Sequence, residues 1–200
     1  MRLFPCLFIL FLAGLSGGFS GTPSAAFAAP EGTKWIMDPT TSHLRFSGQQ
    51  NGTAFTGEFK TFAAIIHFDP QNLAMSSLDI TIDTASAQTG DADINRSLPT
   101  PEWFHTESFP TARFESSTIH KAHEPNQFEA IGRVTILGVS KDITLPFTVT
   151  INNNTTAPTA HAMGQVVLNR LDFGLGKAVD PNGTMVLNPV TVTFDIMAHP

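Results

Sequence analysis

The side chains able to do chemistry are few and do not converge. The segment Asp91-Ala-Asp93-Ile-Asn95-Arg96-Ser97-Leu98, reaching Glu102, places oxygen donors at the first, third, fifth and twelfth positions of a calcium loop. Its sixth position, where such a loop turns sharply on glycine, is Arg96, and Pro99 and Pro101 precede Glu102. The spacing therefore favours a capped helical turn in a connecting loop. The histidines are His43, His67, His105, His120, His123, His161 and His199. Only His120 and His123 are close, and three apart on a strand end they do not face one way, whereas zinc needs three or four convergent ligands. Cys6 is the single cysteine, no G-x-S-x-G elbow is present, and no carboxylate pair stands out. Gly174-Leu-Gly176 lacks the strand–turn–helix setting of a phosphate loop. The chain reads as non-enzymatic, with no catalytic residues, no metal and no cofactor.

What remains is apolar. Trp103-Phe104-His105-Thr106-Glu107-Ser108-Phe109-Pro110-Thr111-Ala112-Arg113-Phe114 gathers four aromatic rings at a spacing that fits no helix face. Trp103, Phe104 and Phe109 fall in a loop that caps or gates an end of the fold. Ala112, Phe114 and Ser116 follow a period of two, so Pro110 marks where a cap becomes a wall.

The elements that position these rings are strands. Leu44 and Phe46, Phe55 to Phe59, Ala64 to Phe68, Leu78 to Ile82, Phe128 to Ile136, Ile143 to Ile151 and Val190 to Ile196 each alternate apolar with polar residues. Turn signals separate them at Gln50-Asn51-Gly52, Asp69-Pro70-Gln71-Asn72, Pro125-Asn126, Asn152-Asn153-Asn154 and Asp180-Pro181-Asn182-Gly183. The prediction is an all-β fold, an antiparallel sandwich or barrel of about eight strands, with one short helical segment over 90–98. Pro146 inside an apolar strand predicts a bulge or an edge position. Gly57, Ala64, Ala130, Gly132, Ala162 and Gly164 on inward faces would leave space opposite the rings. Spacing alone leaves a ligand cavity and a plain packed core equally open.

At the N-terminus, Met1-Arg2, an apolar run from Leu3 to Leu15 and Ala26-Phe27-Ala28 form the pattern of a secretory signal peptide cut after Ala28. Residues 29–200 would then form one domain without cysteine, so its core alone must hold it together. Removing Arg2 leaves 10 of the 11 Lys and Arg against 17 Asp and Glu, a formal charge of −7. That balance argues against nucleic acid and against electrostatic attachment to anionic lipid.

The ordered set of stretches resembles the YceI-like family over almost all of residues 29–200. The matching pieces are Trp35-Ile-Met-Asp38-Pro39 with Ser42-His-Leu-Arg-Phe46, Phe55-Thr-Gly57-Glu-Phe59, and Ile66-His-Phe68-Asp69-Pro70. They continue with Ile82-Asp-Thr-Ala-Ser86, Thr89-Gly90, Trp103-Phe104, Phe109-Pro110 to Ser116, Gly132-Arg-Val-Thr-Ile-Leu-Gly138 to Lys141, and Asn169-Arg170-Leu-Asp172-Phe173-Gly174. The resemblance implies an extended, lipocalin-like barrel, periplasmic, holding a polyisoprenoid lipid such as an isoprenoid quinone or a polyprenyl chain in its lumen. The lumen would be lined by Leu44, Phe46, Phe55, Phe59, Ile66, Phe68, Ile80, Phe114, Val134, Ile136 and Phe147. Trp103, Phe104, Phe109 and Phe173 would lie near an end, with Arg170, Arg113 and His105 as candidate head-group donors. The short Gly48–Thr53 connection, the reduced polar helix and Trp103-Phe104 in place of two phenylalanines look like the branch associated with b561-type membrane cytochromes. That implies a membrane redox partner as the alternative to lipid carriage. The oligomeric state stays open, a dimer included.

Overall fold

Strands with one apolar face need cover on that face, and a sheet closed on itself supplies it while removing its edges. The structure, a computed structural model, describes residues 32–153 and 157–200, so the expected signal peptide lies outside the described residues. Eleven strands follow in order. They are β1 (Lys34–Met37), β2 (His43–Gln50), β3 (Thr53–Phe59), β4 (Phe62–His67), β5 (Ser77–Asp83), β6 (Ala87–Thr89), β7 (Thr111–Lys121), β8 (Gln127–Ile136), β9 (Val139–Asn152), β10 (Thr159–Asn169) and β11 (Pro189–His199). Eight of them, in the order β1-β4-β5-β7-β8-β9-β10-β11, form a closed antiparallel barrel, the one of the two architectures left open by the alternation that the family resemblance implied. Closure comes from Ile36 opposite His199 and Met37 opposite Ala198.

β11 divides one edge between two partners. Its last residues pair with β1, whereas residues 191–195 pair with β2. β2, β3 and β6 thereby extend the wall at one end, here called the upper end. The tip of the β2–β3 hairpin is Asn51-Gly52, both at positive φ, the turn chemistry that an Asn-Gly pair favours. β9 starts at Val139, earlier than the alternation from Ile143 suggested, because Leu137 and Gly138 at positive φ turn the chain in two residues.

Pro146 falls where β10 leaves β9. The two strands pair from Thr159 opposite Asn152 to Gly164 opposite Phe147 and no further. A residue without an N–H fits that free edge. In β7 the register shifts between Ser116 and Thr118, so the inward face passes from Phe114 to Ile119 instead of continuing through Thr118. The Ser116 hydroxyl accepts from the Leu78 N–H at 2.8 Å, which ties this irregularity to β5.

The one α-helix among the described residues, α1 (Ala92–Ser97), is the predicted helical turn. Asp91 caps it by accepting from the N–H groups of Asp93 and Ile94. Asn95, a donor in the calcium-like spacing, instead bonds both the backbone and the hydroxyl of Thr89. These side chains are committed to holding the turn.

Candidate functional site

The inward faces of the barrel do not meet. They enclose a cavity of about 240 Å³ whose wall includes residues of all eight barrel strands. On β11 alone the lining runs through Val190, Val192, Phe194, Ile196 and Ala198. Eight residue steps of a strand cover about 26 Å, so this volume is spread along a slender tube. Of the 36 lining residues, 35 are apolar and the other is Arg170, so the lumen offers contact area and almost no polar recognition.

All eleven residues expected along the lumen line it, namely Leu44, Phe46, Phe55, Phe59, Ile66, Phe68, Ile80, Phe114, Val134, Ile136 and Phe147, and so do Trp103, Phe104 and Phe173 of the four expected near an end. The fourth, Phe109, does not. Its ring lies against His105, with centroids 5.7 Å apart, and over Gly138 in the β8–β9 turn. The proline that follows turns the chain, and the Phe109 carbonyl is held by the Thr84 hydroxyl at 2.8 Å. Phe109 therefore braces the 99–109 loop on the outside of the wall.

The rings are arranged as two groups. Phe55, Phe46, Phe59 and Phe104 form a ladder at the upper end, with successive centroids 6.4, 5.1 and 5.8 Å apart. At the lower end Phe68, Phe128 and Phe147 pack mutually, with centroids 5.0, 5.6 and 6.0 Å apart. Offset and edge contacts of this kind stabilise beyond the area they bury. The lower trio forms a floor. Phe68 and Phe147 face the lumen, and Phe128 lies behind them. Beyond it is a mixed polar hollow of about 390 Å³ between the β7–β8 connection, Pro70-Gln71 and the 149–151 stretch of β9, to which Phe68 also contributes. Trp35 fixes Phe68 in place, since its indole N–H donates to the buried Phe68 carbonyl at 3.0 Å.

The small inward residues divide by type. Ala64 and Ala162 line the cavity, as expected. The glycines leave no space, because rings sit on Gly57 and Gly164 and the β7 backbone at Glu115 and Ser116 lies against Gly132. Phe46 lies directly across from Gly57 and Phe194 across from Gly164, and a Cβ at either glycine would collide with the facing ring. An aromatic covering a cross-strand glycine restores the contacts that the glycine lacks.

The upper end is covered by two loops that meet at Arg170. Its guanidinium donates to the carbonyls of Val186 (2.6 Å) and Leu175 (2.7 Å) and to the Asp180 carboxylate (2.6 Å). It also lies 5.6 Å from the Trp103 ring centroid, a cation–π distance. Arg170 and Asp180 are 3% and 2% exposed. Asp180 also accepts from the N–H groups of Thr184, Met185 and Val186, and the Val186 bond above all lowers its pKa to about 2. Gly176 lies against both Arg170 and Trp103, where a Cβ would come within 2.8 Å of each. Its N–H bonds the Glu102 carbonyl at 2.8 Å, joining the two loops.

Arg170 thus spends its donors on the fold. The other two candidate donors lie off the lumen. Arg113 points outward to Asp79 and Glu115, and the His105 ring bonds Ser108. Lining residues in connecting segments that the sequence did not single out are Leu98, Leu175 and Val186. Among the described residues no group of three or more His, Cys, Asp or Glu is placed to hold a metal ion.

A closed antiparallel barrel around a slender apolar lumen is the lipocalin-like class of β-barrel. Within that class the chain belongs to the YceI-like family, whose domain model matches residues 35–198. It is 35% identical to the Photorhabdus laumondii UPF0312 protein plu2095 over 89 residues, 44% of this chain and 45% of that protein. It is 33% identical to protein YceI of Salmonella arizonae over 44% of this chain and 46% of that protein. These matches span less than half the length of the curated relatives. Among solved structures, Burkholderia cenocepacia BcnA superposes with a TM-score of 0.70 at 28% identity, covering 80% of this chain and 98% of BcnA. A polyisoprenoid binding domain from Saccharophagus degradans shares the fold with a TM-score of 0.61 at 14% identity, covering 82% of this chain and 97% of that one.

Proposed function

We propose that the protein is a lipid carrier that holds a single polyisoprenoid chain, the tail of an isoprenoid quinone or a polyprenyl lipid, in the barrel lumen. The carrying observation is the shape and lining of the cavity, a slender tube walled by 35 apolar residues with its one charge already paired. Such a tube suits an extended, methyl-branched hydrocarbon and disfavours a broad fused-ring plate. Each buried methylene contributes about 0.8 kcal/mol, so even a few isoprene units supply useful affinity without a head-group contact. The name of the Saccharophagus degradans neighbour gives the same ligand class for that protein. The carrier acts in the periplasm after loss of residues 1–28, storing or transporting its ligand without chemical change.

Organic extraction of protein purified from several expression hosts, followed by mass spectrometry, tests this reading. The expected result is about one isoprenoid per barrel. A clean extract from every host sinks it.

A further inference from the structure

A carrier of water-insoluble lipid must exchange its load with a membrane, and the upper rim carries the features such an exchange requires. On the loop between β10 and β11, Val179, Met185 and Leu187 are 48%, 45% and 41% exposed. Between the last two, Val186 turns inward, is 7% exposed, and lines the lumen. One tripeptide therefore presents two apolar side chains outward and one to the cavity.

Its backbone is fully paired. The N–H groups of Met185 and Val186 donate to Asp180, and that of Leu187 donates to the Gln49 carbonyl. The Met185 carbonyl accepts from Asn51 N–H, and those of Val186 and Leu187 accept from Arg170. Backbone that enters an apolar phase must have its polar groups satisfied internally, and exposed surface loops rarely meet that condition. The buried Arg170–Asp180 pair supplies four of the six partners here, and Gln49 and Asn51 of the β2–β3 hairpin supply the other two.

We propose that Val179, Met185 and Leu187 form a lip that inserts into the surface of a zwitterionic phospholipid bilayer, placing the lumen against the membrane for lipid exchange. This rests on the carrier reading. The formal charge of −7 over residues 29–200 disfavours an anionic surface, so the attachment is apolar in origin. Three half-exposed side chains fall far short of the roughly 800 Å² per partner of a stable protein interface, yet suffice for brief partition into a bilayer interface. Weak docking suits a carrier that must leave again.

The test is co-flotation of residues 29–200, the chain without the apolar Leu3–Leu15 run, with phosphatidylcholine vesicles free of isoprenoid, alongside transfer of geranylgeraniol between such vesicles. The double variant Met185→Ser/Leu187→Ser changes only outward side chains. It should lower the vesicle-bound fraction and the transfer rate about tenfold while the melting temperature and the bound lipid per barrel hold. Wild type that does not float, or a variant that floats equally well, overturns the lip and leaves carriage standing if lipid is still extracted. Flotation only when vesicles contain membrane protein, or a dimer that the variant abolishes, assigns the surface to a protein partner and also overturns it. Wild type that floats, with a variant that does not, upholds the lip even if every extract is clean, in which case carriage alone fails.

Discussion

Arg170 and Asp180 form a buried ion pair, 2.6 Å between guanidinium nitrogen and carboxylate oxygen, that joins the end of β10 to the loop preceding β11. Neither charge stands alone, since Asp180 accepts three backbone N–H bonds and Arg170 donates to the carbonyls of Leu175, Asp180, Val186 and Leu187. Breaking such a pair leaves an uncompensated buried charge, which costs far more than the pair contributes over an apolar substitute.

Asp180→Asn should therefore lower the melting temperature by roughly 10 °C. The pH dependence has a definite sign. The carboxyl pKa is lowered in the folded state from 3.8 to about 2, so the unfolded chain takes up the proton first as pH falls. The stabilisation is fully present above about pH 4 and is lost between pH 4 and pH 2. Thermal melts across that window should converge for wild type and variant. A gap that stays constant to pH 2 would show that Asp180 titrates normally.

Ala162→Phe places a ring in the tube. In a filled core such an insertion costs about 1–3 kcal/mol through overpacking. In an open lumen it should leave the melting temperature nearly unchanged and at least halve the extracted lipid per barrel. Calorimetry together with lipid quantification reads both quantities.

Phe128→Ala removes the ring behind Phe68 and Phe147 and thins the wall between the lumen and the hollow below it. Truncation of a buried Phe costs about 3–5 kcal/mol, and Phe128→Leu provides a gentler version if the first does not fold. Either variant should accept longer chains, seen as a shift of the bound lipids to higher mass. An unchanged distribution would mean that the trio does not set the depth of the tube.

Gly164→Ala puts a methyl group into the Phe194 ring and the Pro146 carbonyl, at the point where β9 and β10 part. Backbone on one side and a packed ring on the other leave little room to yield. A loss of about 1–3 kcal/mol is expected from denaturant titration. The same change at Gly90, which has nothing within 4 Å, is the control.

The walls were legible because a strand writes its inward face into the sequence at every second residue. Phe128, Ala130, Gly132, Val134 and Ile136 are all buried, as that period requires. The ends were not, because loops carry no period. Phe109 sits in the same aromatic cluster as Phe104, yet Pro110 and Thr84 turn it outward. Arg170 read as a candidate head-group donor because Asp180, ten residues away, reaches it only through the tertiary path of the loop. The glycines read as spaces, since nothing in the sequence states which ring lies across the sheet.

Closure of the barrel depends on residues 163 positions apart, Ile36 and His199. Contacts this distant in sequence form late and slowly, because the chain must lose much freedom before they reward it. β11 touches three strands, β10, β1 and β2, so the ring cannot close until it is made. Without the β11 pairs the apolar wall would be an open sheet with bare edges, the arrangement that invites edge-to-edge aggregation. The pairing of β11 is therefore the step on which the whole wall waits, and the step at which a wrong partner does most harm.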